Sequence, residues 1–226
     1  MKSIIASSHL IFSIFSCLFF LQIGAQNLSQ IDVLTTEDGL LFRDVSDVVQ
    51  DYKGLLWIGT AQGLQRYDGR NFKAFTSDKT QSHFIEEDFI KANMVYDSLR
   101  NSIWYLANDA LFELEISTDS VKSYDTSHNL KGKVLDVIKT PNGSIWVVTD
   151  DYWDVERGNA QQYIQKLVNG KFEVIVASKR YKRGFNQLTI DGNGFIWWAT
   201  TAGTYKYNEV GEELETHLLD SYEWNG

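Results

Sequence analysis

Cysteine, proline and surplus positive charge are nearly absent from this chain. Of its 226 residues one is cysteine and one is proline, and 30 acidic residues outweigh 21 basic ones for a formal net charge of −9. The cysteine, Cys17, lies among the first 25 residues, so the remainder has no disulfide to lean on and must be held by packing. The missing basic surplus argues against the clustered cationic face that nucleic-acid binding requires, and no nucleic-acid partner is expected. Long apolar runs are also lacking. The longest, residues 10–21, has 12 residues, against the roughly 20 that a membrane-spanning helix needs. No stretch of ten or more residues shows a helical period.

Chemistry-bearing motifs are equally scarce. There is no nucleotide-binding glycine loop and no nucleophile motif. His83, His128 and His217 lack metal-ligand spacing, and "DGNG" at Asp191 lacks the remaining ligands of a calcium loop. Asp150, Asp151, Asp154 and Glu156 form an acidic cluster, but neighbouring carboxylates of one loop rarely supply both sides of a glycosidase site. No catalytic residue, metal or cofactor is expected.

What is present begins with an export signal. Lys2, the apolar run and the small residues Gly24 and Ala25 have the layout of a secretory peptide, with cleavage expected after Ala25. A membrane anchor and lipidation at Cys17 are the weaker alternatives. Beyond residue 25, short strand-like runs with period-2 patterning, bounded by Gly, Asn and Asp turns, recur four times. The aligned tryptophans are Trp57, Trp104, Trp146 and Trp197, spaced 47, 42 and 51 residues apart. Such a period points to a propeller or solenoid. Each unit divides into four strands, in the first unit residues 45–50, 55–60, 64–67 and 72–76, joined through turns such as "DYKG" and "TPNG". A single four-stranded sheet cannot bury both faces, whereas stacked neighbours can. The expectation is an all-β propeller of about four four-stranded blades, covering residues 41–76, 89–125, 133–177 and 185–220, within a partial propeller domain of residues 26–226.

The motif tryptophans read as blade core. Gly59 and Gly63 read as positions of close approach or positive φ. A fifth strand-like run, residues 30–40, precedes the first unit with no partner, while the fourth unit already has its own outer strand. Six to eight blades at this spacing would need roughly 280 to 375 residues. An incomplete ring is therefore expected, with a closed four-bladed ring as the alternative. Exposed blade faces would favour association.

The stretch "DGLLFRDVSDVVQDYKGLLWIGTAQGLQRYDG", residues 38–69, resembles the two-component regulator propeller repeat. Unit four departs from it, with Ala199 and Thr204 replacing the glycine of "GT" and the leucine of "GL". Units two and three keep only the aromatic core and turn. The resemblance implies the periplasmic sensor region of a bacterial hybrid histidine kinase, a receptor anchored in the inner membrane that reads oligosaccharides. It also implies partners, namely the remaining blades and a kinase that these residues do not encode. A second copy of the chain is a further candidate partner. An exported binding or assembly module and a propeller lyase are the other readings.

Function should sit on the face that carries the second-to-third-strand loops and the inter-blade loops, where lengths vary. Residues 77–88, 149–163 and 178–184 are the long ones. Tyr152, Trp153 and Tyr181 could stack on a sugar ring, and Arg157, Arg180, Lys182 and Arg183 could hold an anionic group. The bland alternative is a solvated loop.

Overall fold

A computed structural model describes residues 32–77, 89–91, 93–151, 161–179 and 186–218. The chain divides into Met1–Leu34 and Thr35–Gly226. In the first unit only residues 32–34 are described, and they hold no strand or helix.

The second unit is four antiparallel sheets of four strands, each in simple sequence order. Blade 1 is β1 (Val45–Gln50), β2 (Leu56–Thr60), β3 (Gly63–Tyr67) and β4 (Phe72–Phe75). Blade 2 is β5 (Val95–Asp97), β6 (Ser102–Ala107), β7 (Ala110–Glu115) and β8 (Ser120–Tyr124). Blade 3 is β9 (Lys133–Lys139), β10 (Ile145–Asp150), β11 (Gln161–Val168) and β12 (Lys171–Lys179). Blade 4 is β13 (Asn186–Ile190), β14 (Ile196–Thr200), β15 (Gly203–Tyr207) and β16 (Glu213–Leu218). The strands of blade 1 fall within one residue of those read from the sequence. The residue 30–40 run differs: Thr36–Asp38 forms a 3-10 turn, because the Thr35 and Asp38 side chains cap each other's backbone.

Turn chemistry sets the first hairpin. In blade 1 the Asp51 carboxylate accepts the amides of Lys53 and Leu55 at 2.9 and 3.1 Å and the Trp57 indole N–H at 3.1 Å. Asp191 does the same in blade 4, toward Asn193, Phe195 and Trp197 at 2.9, 3.1 and 3.0 Å. In blade 2 the equivalent Asp97 still accepts the Leu99 amide at 3.0 Å but takes the Arg100 guanidinium in place of the indole, and blade 3 has Thr140 there. The indole nitrogens of Trp104 and Trp146 consequently find no partner among the described residues.

Each blade presents its motif tryptophan on one face, called here the tryptophan face, and an opposite leading face. Three clusters join successive blades by laying the first kind of face on the second. Trp57, Leu64 and Phe75 pack on Met94, Ile103, Tyr105 and Phe112. Trp104, Leu106 and Tyr124 pack on Val134, Val137, Ile145 and Phe172. Trp146, Val148 and Ile164 pack on Leu188, Ile196, Trp198 and Tyr207. No cluster among the described residues joins blade 4 to blade 1. Among the described residues the array of blades is thus open, as in an incomplete propeller.

Glycine permits this closeness. A Cβ on Gly59 would lie 2.7 Å from Ile90 Cγ2 of the following blade segment, and Gly63 adopts φ +129°. Trp57, Trp104 and Trp146 are fully buried. Trp197, expected in a blade core, is only half-buried, and Trp198 on the other face is the fully buried one. The reason is positional: Trp197 faces the side on which no blade follows among the described residues.

Candidate ligand cleft on the loop face

The long-loop residues singled out from the sequence, Tyr152, Trp153, Arg157, Arg180, Tyr181 and Arg183, lie outside the described residues. So do Lys182, Asp154 and Glu156. What is described is the framework beside them, and it holds a cleft of about 800 Å³.

The cleft opens where the connection from blade 2 to blade 3 crosses the leading face of blade 3. Its lining includes Asn129, Lys131, Asp151, Tyr163, Phe172 and Glu173. The connection is a 3-10 turn, Thr126–His128, capped by Asp125 and closed by left-handed Asn129. Hydrogen bonds from Ser127 and His128 hold the Asp125 carboxyl below its ordinary range. Buried Leu130 roots the turn in the core. Fully buried Gln165 then fixes Lys131 on both sides: its carbonyl accepts the Lys131 amide at 3.1 Å and its amide donates to the Lys131 carbonyl at 2.9 Å. The same amide nitrogen reaches Thr149 Oγ1 at 2.8 Å.

With its backbone pinned, the Lys131 ammonium sits over the Tyr163 ring, 5.5 Å from the centroid. The Tyr163 hydroxyl donates to Gln161 at 2.8 Å. Asp151 and part of Glu173 complete the lining. The arrangement offers hydrogen-bond acceptors, one cation and an aromatic wall on a rigid floor. That combination suits a hydroxyl-rich ligand better than a proton-transfer reaction.

Four further polar residues were not found by sequence reasoning. Asp47 Oδ2 accepts the amides of Asn93 and Met94 at 2.9 and 2.6 Å, stapling blade 1 to the segment entering blade 2. Asp136, at the equivalent place in blade 3, accepts the amide of Leu188 in blade 4 at 2.7 Å. Burial, reinforced by the Asp47 charge and opposed by the amides of Leu188 and Val137, pushes the Asp136 carboxyl up to about 7. The recurring "V-x-D-V" of "VSDVVQ" and "VLDVIK" was the available signal. On the loop face, Asp109 pairs with Lys91 and, at 3.0 Å, with Lys133. These lysines hold its carboxyl below the usual range. Within the blade 2–3 interface, burial and the Glu113 carboxylate push the Tyr124 phenol up. Among the described residues no cluster of His, Cys, Asp and Glu could hold a metal ion, and no helix is long and apolar enough to cross a membrane.

No family model matches the chain. A 77-residue stretch is 35% identical to histidine kinase P4 of Formosa agariphila, covering 32% of this chain and 6% of that kinase. The chain thus spans a small fraction of the relative it matches. Virginiamycin B lyase from Staphylococcus aureus shares the fold with a TM-score of 0.56 at 13% identity, over 79% of this chain and 56% of the lyase. The extracellular domain of a putative hybrid two-component system from B. thetaiotaomicron aligns over 83% of this chain and 34% of that domain, at 18% identity and a TM-score of 0.30. The likeness to the lyase is one of fold alone. It identifies no catalytic residue here.

Proposed function

We propose that this chain is an extracytoplasmic ligand-sensing propeller of a two-component signalling receptor, which detects oligosaccharides and relays to a histidine kinase encoded elsewhere in the receptor. The observation that carries this reading is the 35% identity to a histidine kinase over 77 residues. The strands run from Val45 to Leu218, so a match of that length includes blade residues. This reading takes the shared stretch to be propeller rather than kinase core. The first 25 residues direct export to the periplasm.

The cleft of Lys131, Tyr163 and Asp151 is the part of the sensor that meets the sugar. Carboxylates accept hydroxyl donors, and the Lys131 ammonium donates to ring or hydroxyl oxygens. Calorimetry of the purified chain against a panel of neutral, amino and uronic-acid oligosaccharides tests this. A ligand of the cleft should bind at least about tenfold more weakly to Lys131→Ala and Asp151→Asn. Unchanged affinity in both variants places the site elsewhere, and silence across the panel removes the oligosaccharide reading.

A further inference from the structure

Three Asn-Gly steps lie among the described residues: Asn142–Gly143, Asn169–Gly170 and Asn193–Gly194. At such a step the glycine nitrogen can attack the asparagine side-chain carbonyl, because glycine carries no side chain to obstruct it. We propose that Asn169 is a site of spontaneous deamidation and isomerisation, and that isomerisation there loosens the outer strand of blade 3.

The turns that hold the other two steps also lock them. In the first hairpin of blade 3 the Gly143 amide donates to the Thr140 carbonyl at 2.8 Å. Asn142 Oδ1 accepts the Thr140 hydroxyl at 2.7 Å and the Ser144 amide at 3.1 Å, and the Asn142 side-chain amide donates to Glu209. Gly143 is buried, and a Cβ there would collide with the Leu99 side chain. The attacking nitrogen, the carbonyl and the space around them are all taken. In blade 4 the Gly194 amide donates to the Asp191 carbonyl at 2.9 Å, and the Asn193 amide donates to the Asp191 carboxylate at 2.9 Å. Gly194 is half-buried.

The third step is free. Asn169 and Gly170 are the central residues of the hairpin that joins β11 to β12, closed by the pair Val168–Lys171. Both have positive φ, 50° and 78°, in the two-residue turn that Asn-Gly favours. Both are exposed, and no atom lies within 4 Å of where a Cβ on Gly170 would stand. Neither the Asn169 side chain nor the Gly170 amide has a hydrogen-bond partner among the described residues. Water reaches the amide proton, and the side chain can swing onto the nitrogen.

The chemistry balances with water as the one co-reactant. The Gly170 nitrogen loses its proton and bonds to Asn169 Cγ. The Cγ–Nδ2 bond breaks, ammonia leaves with that proton, and a cyclic imide remains. Water then adds to one of the two imide carbonyls. Breaking the bond from nitrogen to Cγ gives aspartate in the ordinary backbone. Breaking the bond from nitrogen to the backbone carbonyl carbon gives isoaspartate, with the chain routed through Cγ. No electron is gained or lost.

Aspartate fits the turn as asparagine does. Isoaspartate adds a backbone carbon to a two-residue turn, so the register on its far side must shift. The first buried side chain on that side is Phe172, 2% exposed, which meets the Tyr124 ring edge-on at 5.8 Å and lines the cleft.

Prolonged incubation of the folded chain at mildly alkaline pH, followed by peptide mapping and isoaspartate-specific labelling, tests this. The Asn169 peptide should become about 1 Da heavier and acquire isoaspartate, at least about tenfold faster than the Asn142 and Asn193 peptides. In urea concentrated enough to unfold the chain the three rates should converge, because the turns that set them apart are gone. The purified isoaspartate form should melt below the unmodified chain, whereas Asn169→Asp should melt with it. Equal rates in the folded chain, an unaltered Asn169 peptide, a difference that persists in urea, or an isoaspartate form that melts like the unmodified chain each overturns the proposal.

Discussion

Blades 1 and 4 are built from the same sentence of sequence, and the molecule treats them differently. Both open with Asp-x-x-Gly, and in both the aspartate clamps its turn and the indole of the motif tryptophan with nearly equal distances. In both a cation covers the ring. Yet Trp57 is fully buried and Trp197 is not. Local sequence sets the hairpin and the rotamer of the tryptophan. Burial comes from the next blade, which is a property of position in the array. The apolar companions Val49, Leu64 and Phe75 in blade 1 against Thr189, Thr204 and His217 in blade 4 show side chains following that difference.

The comparison can be broken most forcefully at the tryptophans. Trp57→Ala should cost about 3–5 kcal/mol because it empties a space enclosed on all sides, whereas Trp197→Ala should cost about 1–2 kcal/mol, since water already reaches that ring. Denaturant titrations of the two variants measure both. Equal losses would mean that Trp197 is covered in solution.

A smaller contrast lies at the close-approach position. Gly59→Ala places a methyl 2.7 Å from Ile90 Cγ2 and should destabilise by about 1–3 kcal/mol. Blade 4 already carries alanine there, and Ala199→Gly should change stability by under about 1 kcal/mol.

The inter-blade staples supply a contrast that depends on pH. Asp136 is buried with a pKa raised to about 7 from 3.8. The folded state therefore holds this proton more tightly than the unfolded chain does. Its contribution is fully present below the unfolded value of 3.8 and is lost as pH rises through about 7. Thermal melts across this window should show stability falling with rising pH by roughly 1–3 kcal/mol from this group. Asp136→Asn should flatten that slope. A slope unchanged in the variant would assign the titration to another group.

The smallest effect expected is at the edge of the array. Leu218→Ser in β16, at a residue 69% exposed, should shift stability by under about 0.5 kcal/mol. Phe75→Ser, in the matching outer strand of blade 1 but fully buried, should be several-fold worse. A two-state melt of each variant measures the ratio.

The fold was legible because its signals are local. Alternation, Asp and Gly turns and one tryptophan per unit specify hairpins within about 40 residues, and those hairpins form. The ligand cleft was less legible. Tyr163 and Lys131 lie 32 positions apart and meet only because Gln165 pins the inter-blade connection from another strand. Sequence reasoning chose the long loops of the same face instead, guided by length and aromatic content. Asp47 and Asp136 went unnoticed for a similar reason. Their partners are backbone amides of the following blade, and an amide leaves no mark in the sequence. Trp197 was misplaced because the repeat pattern records which residue faces a neighbour but not whether the neighbour is there.

The strand β16 has every residue exposed, from Glu213 to Leu218, while β6 in blade 2 has every residue buried. Under native conditions the amide hydrogens of these two strands should exchange with solvent on widely different timescales. Those of β16 would open by fraying alone, and those of β6 only when two interfaces give way together. The array would thus come apart from its fourth blade inward, with the blades held on both sides the last to let go.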